Sequence, residues 1–293
     1  MSFVGFSQQI LKQNHHGYVK TIYRQAIFWA LTAERCMCSR PDNRGRTLMA
    51  GLPSPLALMV RKLETHAVLD ADDRAALFAL PYTLKTFEPS SYLVREGDAP
   101  EQCAVLLSGF AYRQKLTGAG MRQIVSLHIP GEALDFQHLF LDVADHNVQT
   151  LTRAEVATIP RTALRELARE RASIGNAIFV NTLVEGSIFR EWILNIGRRD
   201  ARSRLAHFLC EFAIRLDMQG LTGEHGYELP MSQEQLGDAL GLTAVHVNRT
   251  IKSLEADGLI SRNRRRIGFP QWDALRELAD FSSRYLHLAQ QKN

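Results

Sequence analysis

The sequence predicts an α+β fold that consists of an antiparallel β-roll, a long helix and a C-terminal winged helix-turn-helix. Three observations carry this prediction. From residue 83 to residue 159, short apolar stretches of strand length alternate with glycine-containing turns, which is typical of β-sandwiches and β-rolls. Residues 174–195 keep a helical spacing over several turns. Residues 232–268 have the pattern of two short helices followed by a basic hairpin.

The net charge of +4 is concentrated at the N-terminus. Residues 1–50 contain seven Lys or Arg against two Asp or Glu, which leaves 28 basic and 29 acidic residues in 51–293. A chain of 293 residues, 45% of them hydrophobic, has room for two domains. Because the bulk of the chain is balanced in charge, a nucleic-acid interpretation has to rest on local clusters.

The cysteine spacing indicates a reducing compartment, and the hydropathy pattern argues against a membrane-spanning segment. Cys36, Cys38, Cys103 and Cys210 fit neither a disulfide framework nor a paired zinc site. No apolar run approaches the roughly 18 residues that span a bilayer, so we expect a cytoplasmic protein with no membrane partner. The sequence contains no Gly-x-Ser-x-Gly turn, phosphate loop or His-Glu-x-x-His helix. It therefore predicts a protein that is not an enzyme and has no metal site.

The long helix carries apolar and polar residues at alternating four- and three-residue steps from Ile174 to Asn195. This is the seam spacing of a coiled-coil-like helix pair, and it predicts a parallel homodimer. The alternative is that the same stripe packs against the chain's own β-domain. The residues predicted to form the dimer seam are Ile174, Ile178, Glu185, Ile188 and Trp192.

Two short helices follow each other near the C-terminus. Ser232 and Gln235 form a predicted capping box at the start of the first helix, which ends at Gly241. Thr243 is placed to cap the second helix, which ends at Gly258. The inner face of the second helix is predicted to be Val247, Ile251 and Leu254.

The outer face of the second helix is suited to a DNA major groove. Arg249 has the planar fork that pairs with guanine, and Asn248 is suited either to read adenine or to hold a phosphate. A predicted two-stranded wing follows, and residues 249–266 contain six basic and two acidic residues, where phosphates would lie. The alternative is a solvated helical hairpin with an arginine-rich loop. The candidate DNA contacts are Ser232, Gln233, Thr243, Val245, His246, Asn248, Arg249, Lys252, Arg264 and Arg265.

These segments together resemble the CRP/FNR superfamily of bacterial transcription regulators. The resemblance covers roughly residues 56–272. It is carried by residues 95–98 (Arg-Glu-Gly-Asp) and 108–109 (Ser-Gly) in the roll, and by the stretches 232–237 and 258–260 in the DNA-binding unit. It implies a homodimer that binds double-stranded DNA, with a roll that senses a signal or contacts RNA polymerase.

The recognition helix departs from the family at one position. Arg249 falls where the family places an arginine that contacts guanine. Val245 falls where many members have a glutamate that contacts the operator, and a valine side chain accepts no hydrogen bond. The family's usual operator is therefore not implied, and apolar contact with a thymine methyl group is the replacement that the chemistry of valine permits.

The effector site departs further. Gly131 and Glu132 form the family's turn, but Asp135 and Phe136 stand where members that bind cyclic nucleotides have the Gly-Glu that holds the ribose. Residues 144–150 contain no Arg or Lys for the cyclic phosphate. Members resembling FNR hold an iron–sulfur cluster with an N-terminal run of cysteines, which this sequence does not reproduce. We therefore expect no cyclic nucleotide, cluster or other cofactor.

The leading hypothesis is thus a homodimeric, sequence-specific DNA-binding transcription regulator. The alternative is a protein of a different functional class, a small-molecule-sensing module whose helical C-terminus mediates protein contacts rather than DNA binding. The expected divisions are a flexible N-terminal extension (1–48), a cyclic-nucleotide-binding-like sensor domain (49–160), a dimerisation helix region (161–198), a winged helix-turn-helix domain (199–272) and a C-terminal helix (273–293).

Overall fold

A computed structural model of the chain describes residues 54–222 and 226–288. The chain divides into two units, Met1–Leu52 and Pro53–Asn293, and the described residues all belong to the second. The predicted N-terminal extension, residues 1–48, lies outside them.

The main segments follow one another as the sequence predicts, a β-roll, a long helix and a winged helix-turn-helix. The described helices are α1 (Ala57–Glu64), α2 (Ala71–Phe78), α3 (Arg161–Glu170), α4 (Ala172–Arg198), α5 (Ala201–Met218), α6 (Gln233–Leu240), α7 (Ala244–Ala256) and α8 (Trp272–Leu278). The strands are β1 (Thr83–Phe87), β2 (Tyr92–Val94), β3 (Gln102–Ser108), β4 (Ala111–Leu116), β5 (Arg122–His128), β6 (Asn147–Thr150), β7 (Ala154–Pro160), β8 (Tyr227–Glu228), β9 (Ser261–Asn263) and β10 (Arg266–Gly268). Short 3-10 helices span Phe136–Leu139 and Ser283–Leu286.

The predicted β-roll is confirmed. Its two antiparallel sheets have the strand orders β1-β7-β3 and β2-β6-β4-β5. Leu106 and Val156 from the first sheet pack with Val148 from the second in one buried cluster. The turn between β3 and β4 requires Gly109, whose φ is +77° and where a Cβ atom would lie 2.3 Å from the carbonyl oxygen of Arg153.

The long helix is present, and the residues of the predicted dimer seam are wholly or partly buried within the chain. Ile174 and Ile178 are fully buried in a cluster with α1, α2 and the roll. Ile188 and Trp192 are buried against the roll and α5 of the same chain. Glu185 is half-buried, with its Oε2 atom 3.6 Å from Nη1 of Arg113 in the roll. These contacts agree with the alternative interpretation of the stripe, packing against the chain's own domains.

A different stripe of α4 faces outward. Phe179, Leu183 and Ile193 leave 59%, 54% and 72% of their surface exposed. With Gly186 and Arg190 between them, these positions also alternate in four- and three-residue steps, the spacing that a helix pair needs. We call Phe179, Leu183, Gly186, Arg190 and Ile193 the outer stripe.

The C-terminal module consists of α5 to α8 and a small sheet of order β8-β10-β9. The wing that the sequence predicts is β9 and β10, which turn at Arg264 with a φ of +55°. The third strand, β8, was not predicted, because two residues carry too little pattern to mark a strand. Leu254, Ile260 and Ile267 lie in one buried cluster, so the wing and α7 form a single packed unit.

The predicted C-terminal helix over residues 273–293 is shorter than expected. Helix α8 ends at Leu278, and Asp280 adopts a φ of +47°, which is incompatible with a continued right-handed helix. The chain then folds back over α4 and α5, where Phe281 is buried and the Tyr285 hydroxyl donates to Oε2 of Glu211 at 2.9 Å. In the part of the chain that the structure describes, no helix is both long and apolar enough to cross a lipid bilayer.

Candidate nucleic-acid interface

The first helix of the pair begins at the predicted capping box. The Ser232 hydroxyl accepts from the Gln235 amide at 3.2 Å, and Oε1 of Gln235 accepts from the Ser232 amide at 2.9 Å. Gly241 ends α6 in the left-handed region, with a φ of +64°. Ser232 is exposed and Gln233 is half-buried at this helix terminus, so both stand at the edge of the module, beside the positive end of the helix dipole.

The second helix is fixed by its cap and by its inner face. Oγ1 of Thr243 accepts from the His246 amide at 3.2 Å. Val247 and Leu254 are fully buried, and Ile251 is nearly so, as the periodicity predicts. Because the inner face is anchored in the core of the module, the opposite face of α7 is held toward solvent.

The outer face of α7 presents unpaired cations. Val245 is 69% exposed, and His246, Arg249 and Lys252 are exposed beside it. Within residues 54–222 and 226–288, the side chains of Arg249 and Lys252 make no hydrogen bond or ion pair. Their charges are therefore available to an external ligand.

Asn248 is placed differently from its neighbours. It is half-buried, and its Oδ1 atom is buried with no hydrogen-bond partner among the described residues. Pairing with adenine needs both the oxygen and the nitrogen of the amide. Exchanging the oxygen and nitrogen of the amide would bury the nitrogen instead, so only one of the two atoms can reach a ligand. The sequence left both roles open for Asn248, and this geometry favours binding a phosphate over reading adenine.

Arginines neutralise the acidic side chains near α7. Asp257 pairs with Arg202 of α5, and Glu255 lies 3.8 Å from Nε of Arg262. At the wing tip Arg264 and Arg265 are exposed. The surface formed by α7 and the wing therefore carries unpaired positive charge and no unpaired acid, as a phosphate-binding surface requires.

Comparison with known proteins identifies this arrangement. The family model of the Crp-like helix-turn-helix domain matches residues 203–278, and that of the cyclic nucleotide-binding domain matches residues 84–171. The nitrogen fixation regulation protein FixK of Rhizobium meliloti is 30% identical over 205 residues, which cover 68% of this chain and 89% of FixK. The chain belongs to the CRP/FNR family. It is a DNA-binding transcription regulator of that family.

Two further CRP/FNR proteins show how far the likeness extends. The transcriptional activator FnrL of Cereibacter sphaeroides is 26% identical over 205 residues, covering 69% of this chain and 82% of FnrL. The structure of FixK2 from Bradyrhizobium japonicum superposes with a TM-score of 0.64 at 24% identity, covering 69% of this chain and all of that one. The FixK2 comparison supports the fold.

The effector region of this CRP/FNR chain is filled by its own polar side chains. Asp135 is buried beside His138 and lies 3.6 Å from Nε2 of His146. Burial alone would raise the pKa of Asp135, but the two imidazoles and the Arg113 guanidinium lower it to about 2. Burial raises the pKa of Glu185, which faces the same region from α4. The Arg113 guanidinium lies 3.9 Å from Asp135 and 3.6 Å from Glu185, so the charged groups of this region pair with one another.

Two ion pairs between the roll and the DNA-binding module were not predicted from the sequence. Arg215 of α5 donates from Nη2 to both carboxylate oxygens of Glu132, at 2.9 and 3.1 Å. Arg122 of β5 donates to Asp238 of α6. The partners lie 83 and 116 residues apart, so no local pattern could have signalled either pair.

Proposed function

We propose that the chain acts as a homodimer that reads a specific DNA sequence by laying α7 in the major groove. The observation that carries this proposal is the outer face of α7, where Arg249 and Lys252 are exposed and unpaired while the nearby acids are neutralised. A free guanidinium on a rigid helix is suited to bidentate pairing with the two acceptors of guanine.

The other candidate contacts divide by chemistry. Val245 is suited to contact with a thymine methyl group, and His246 and Lys252 flank it. The helix termini, with Ser232, Gln233 and Thr243, and the amide of Asn248 are suited to phosphate oxygens. Arg264 and Arg265 at the wing tip are suited to phosphates of the adjoining backbone.

The outer stripe of α4 is proposed as the dimer contact in place of the buried seam. Its large apolar side chains are exposed in the isolated chain, and such a surface is stabilised by burial against a partner. We propose that the outer stripe of a second copy of the chain covers this surface, because such a contact about a two-fold axis needs no other protein. Two α7 helices would then face half-sites about 34 Å apart.

Several further properties belong to the same proposal. The regulator acts in the cytoplasm, contacts RNA polymerase and catalyses no reaction. The roll serves as a scaffold or as a sensor of another signal, and it binds no cyclic nucleotide because Asp135 stands at the position expected to hold the ribose and residues 144–150 contain no Arg or Lys for the phosphate. The division into a sensor domain (49–160), a helix region (161–198) and a DNA-binding domain (199–272) follows the same assignment of roles.

The test separates base reading from phosphate binding. Duplexes bound by the wild-type protein are selected from a random pool, and affinities for the selected and a scrambled duplex are measured at several salt concentrations. Arg249→Ala should cost about 1–3 kcal/mol on the selected duplex and much less on the scrambled one. Combined Arg264→Ala and Arg265→Ala should weaken both duplexes alike and lower the salt slope by about one unit per lost contact.

Arg153→Ala is the matched control, since it removes an exposed arginine from the roll. It should leave both affinities unchanged. Equal weakening of the two duplexes by Arg249→Ala would contradict its reading role. Failure of the wild-type protein to bind any duplex would instead favour the protein-contact module.

A further inference from the structure

Arg122 joins the roll to the helix-turn-helix itself. Its Nε and Nη2 atoms lie 2.6 and 2.5 Å from Oδ2 of Asp238 on α6. Both side chains are only about one quarter exposed, at 28% and 24%. Burial alone would lower the pKa of Arg122, but the hydrogen bond and charge of Asp238 outweigh it and raise that pKa.

The surroundings of Arg122 hold its guanidinium in place. The guanidinium carbon lies 5.8 Å from the centre of the Tyr112 ring, and Nη1 donates to the Tyr112 hydroxyl at 3.5 Å. The next residue, Gln123, donates from Nε2 to the carbonyl of Ala239 on α6 at 3.4 Å. An oriented guanidinium loses little further side-chain freedom when it binds a carboxylate, so the roll presents a prepared binding site for α6.

A second contact lies on a different helix of the module. Arg215 of α5 and Glu132 of the roll are both buried, at 5% and 7% exposure, and Arg215 also donates to the Leu127 carbonyl at 2.6 Å. Burial alone would raise the pKa of Glu132, but Arg215 and Lys62 hold it well below its usual range. This contact anchors α5 to the roll.

The Arg215–Glu132 and Arg122–Asp238 pairs hold two different helices of the module, so together they restrict its orientation on the roll more than either pair alone. The chain connects α4 to α5 through Arg199 and Asp200, and Nδ2 of Asn195 on α4 donates to the Arg204 carbonyl of α5 at 3.1 Å. The buried Arg215 pair fixes the position of α5. The Arg122 pair, on α6, opposes rotation of the module about that fixed point, and α7 moves with α6 because the two helices pack directly against each other.

We propose that Arg122 is a positioning residue that fixes the orientation of the recognition helix through Asp238 and thereby selects the half-site spacing of the operator. This inference rests on the proposed function, a dimer with one recognition helix for each half-site. In a dimer, the separation of the two α7 helices depends on how each module is oriented on its own roll. A module free to rotate accommodates several separations, and a clamped module accommodates one.

The test measures affinity against half-site spacing. Duplexes carry two copies of the selected half-site at the preferred spacing and at spacings one and two base pairs shorter or longer. Arg122→Gln and Asp238→Asn should each lose about five-fold at the preferred spacing and change little at the others, so the spacing profile becomes flatter. The charge exchange, Arg122→Asp with Asp238→Arg, should restore the preference. Arg153→Gln, at another arginine of the roll, should keep the wild-type profile.

The outcomes separate the inference from the function on which it rests. Wild-type binding at one preferred spacing, with folded variants that keep that profile, would overturn the positioning role alone. Equal loss at all spacings would also overturn it, because a merely structural role lowers the folded fraction without changing geometry. A wild-type protein that binds no duplex would overturn the proposed function and this inference with it. Circular dichroism establishes that each variant is folded.

Discussion

Substitutions on the two faces of α4 should have opposite effects on folding and on association. Leu183→Glu with Ile193→Glu changes the outer stripe, and Ile178→Ala changes the buried face. We expect the outer pair to abolish the dimer while each protomer stays folded. We expect Ile178→Ala to destabilise the protomer while the remaining folded protein still dimerises.

The magnitudes follow from the exposed fractions. Leu183 and Ile193 are 54% and 72% exposed, which is roughly 100 Å² of apolar surface each and about 2.5 kcal/mol if buried. Four such side chains in a dimer give about 10 kcal/mol of gross burial energy, which has to offset an association cost of about 4–15 kcal/mol, so replacing them by four charged side chains should leave no dimer at micromolar protein. Ile178 has no exposed surface, so its truncation should cost about 2–5 kcal/mol of unfolding free energy.

Light scattering at micromolar protein reports association, and denaturant unfolding reports stability. The outer-stripe variant should have the mass of a monomer and a cooperative unfolding transition. The Ile178→Ala variant should have the mass of a dimer and a lower unfolding midpoint. A dimeric outer-stripe variant, or a monomeric wild-type protein, would refute the assignment of the interface.

Two further predictions concern stability alone. Gly109→Ala should destabilise the protein by several kcal/mol, because its Cβ atom would meet the Arg153 carbonyl oxygen at 2.3 Å, whereas Gly97→Ala, at a φ of +90° in open space, should cost only about 1–2 kcal/mol in denaturant unfolding. Burial lowers the pKa of His128 from 6.5 to about 4, so the unfolded chain binds a proton first as the pH falls below about 6.5. The contribution of His128 to the unfolding free energy should therefore fall between about pH 6.5 and 4, by about 2 kcal/mol at pH 5, and His128→Gln should make the overall slope shallower by that amount. An unchanged slope would contradict a buried neutral imidazole.

The helix-turn-helix was predictable because each of its signals is local. A hydroxyl and an amide three residues apart form the cap of α6, a glycine ends it, and a four-residue spacing marks the inner face of α7. Each of these depends only on neighbours within two turns of helix. The structure therefore reproduces the caps of Ser232 and Thr243, and it leaves Arg249 on the outer face, where the spacing had placed it.

The buried stripe of α4 was not predictable from spacing, because α4 carries two stripes with the same steps. One runs through Ile178 and Ile188, and the other through Phe179, Leu183 and Ile193. Their positions differ by one to two residues, which turns the face by roughly 100–200°. Each stripe contains large apolar side chains, and α4 packs one stripe on the roll and leaves the other exposed. Only the position of the roll, a long-range property, decides which stripe is internal.

The charge of the proposed DNA-binding surface was also only partly predictable from the sequence, because a residue count does not show which charges are paired. A count over residues 249–266 gives six basic and two acidic side chains, but the structure pairs Glu255 with Arg262 and pairs Asp257 with Arg202, which lies outside that segment. The charges of both acids are thus neutralised, one by an arginine of the wing and the other by an arginine that lies outside residues 249–266. The cations left unpaired all lie on α7 or the wing tip, so the local field is more positive than the count. Since phosphate binding depends on unpaired charge rather than on composition, the balanced charge of residues 51–293 does not weaken the case for DNA.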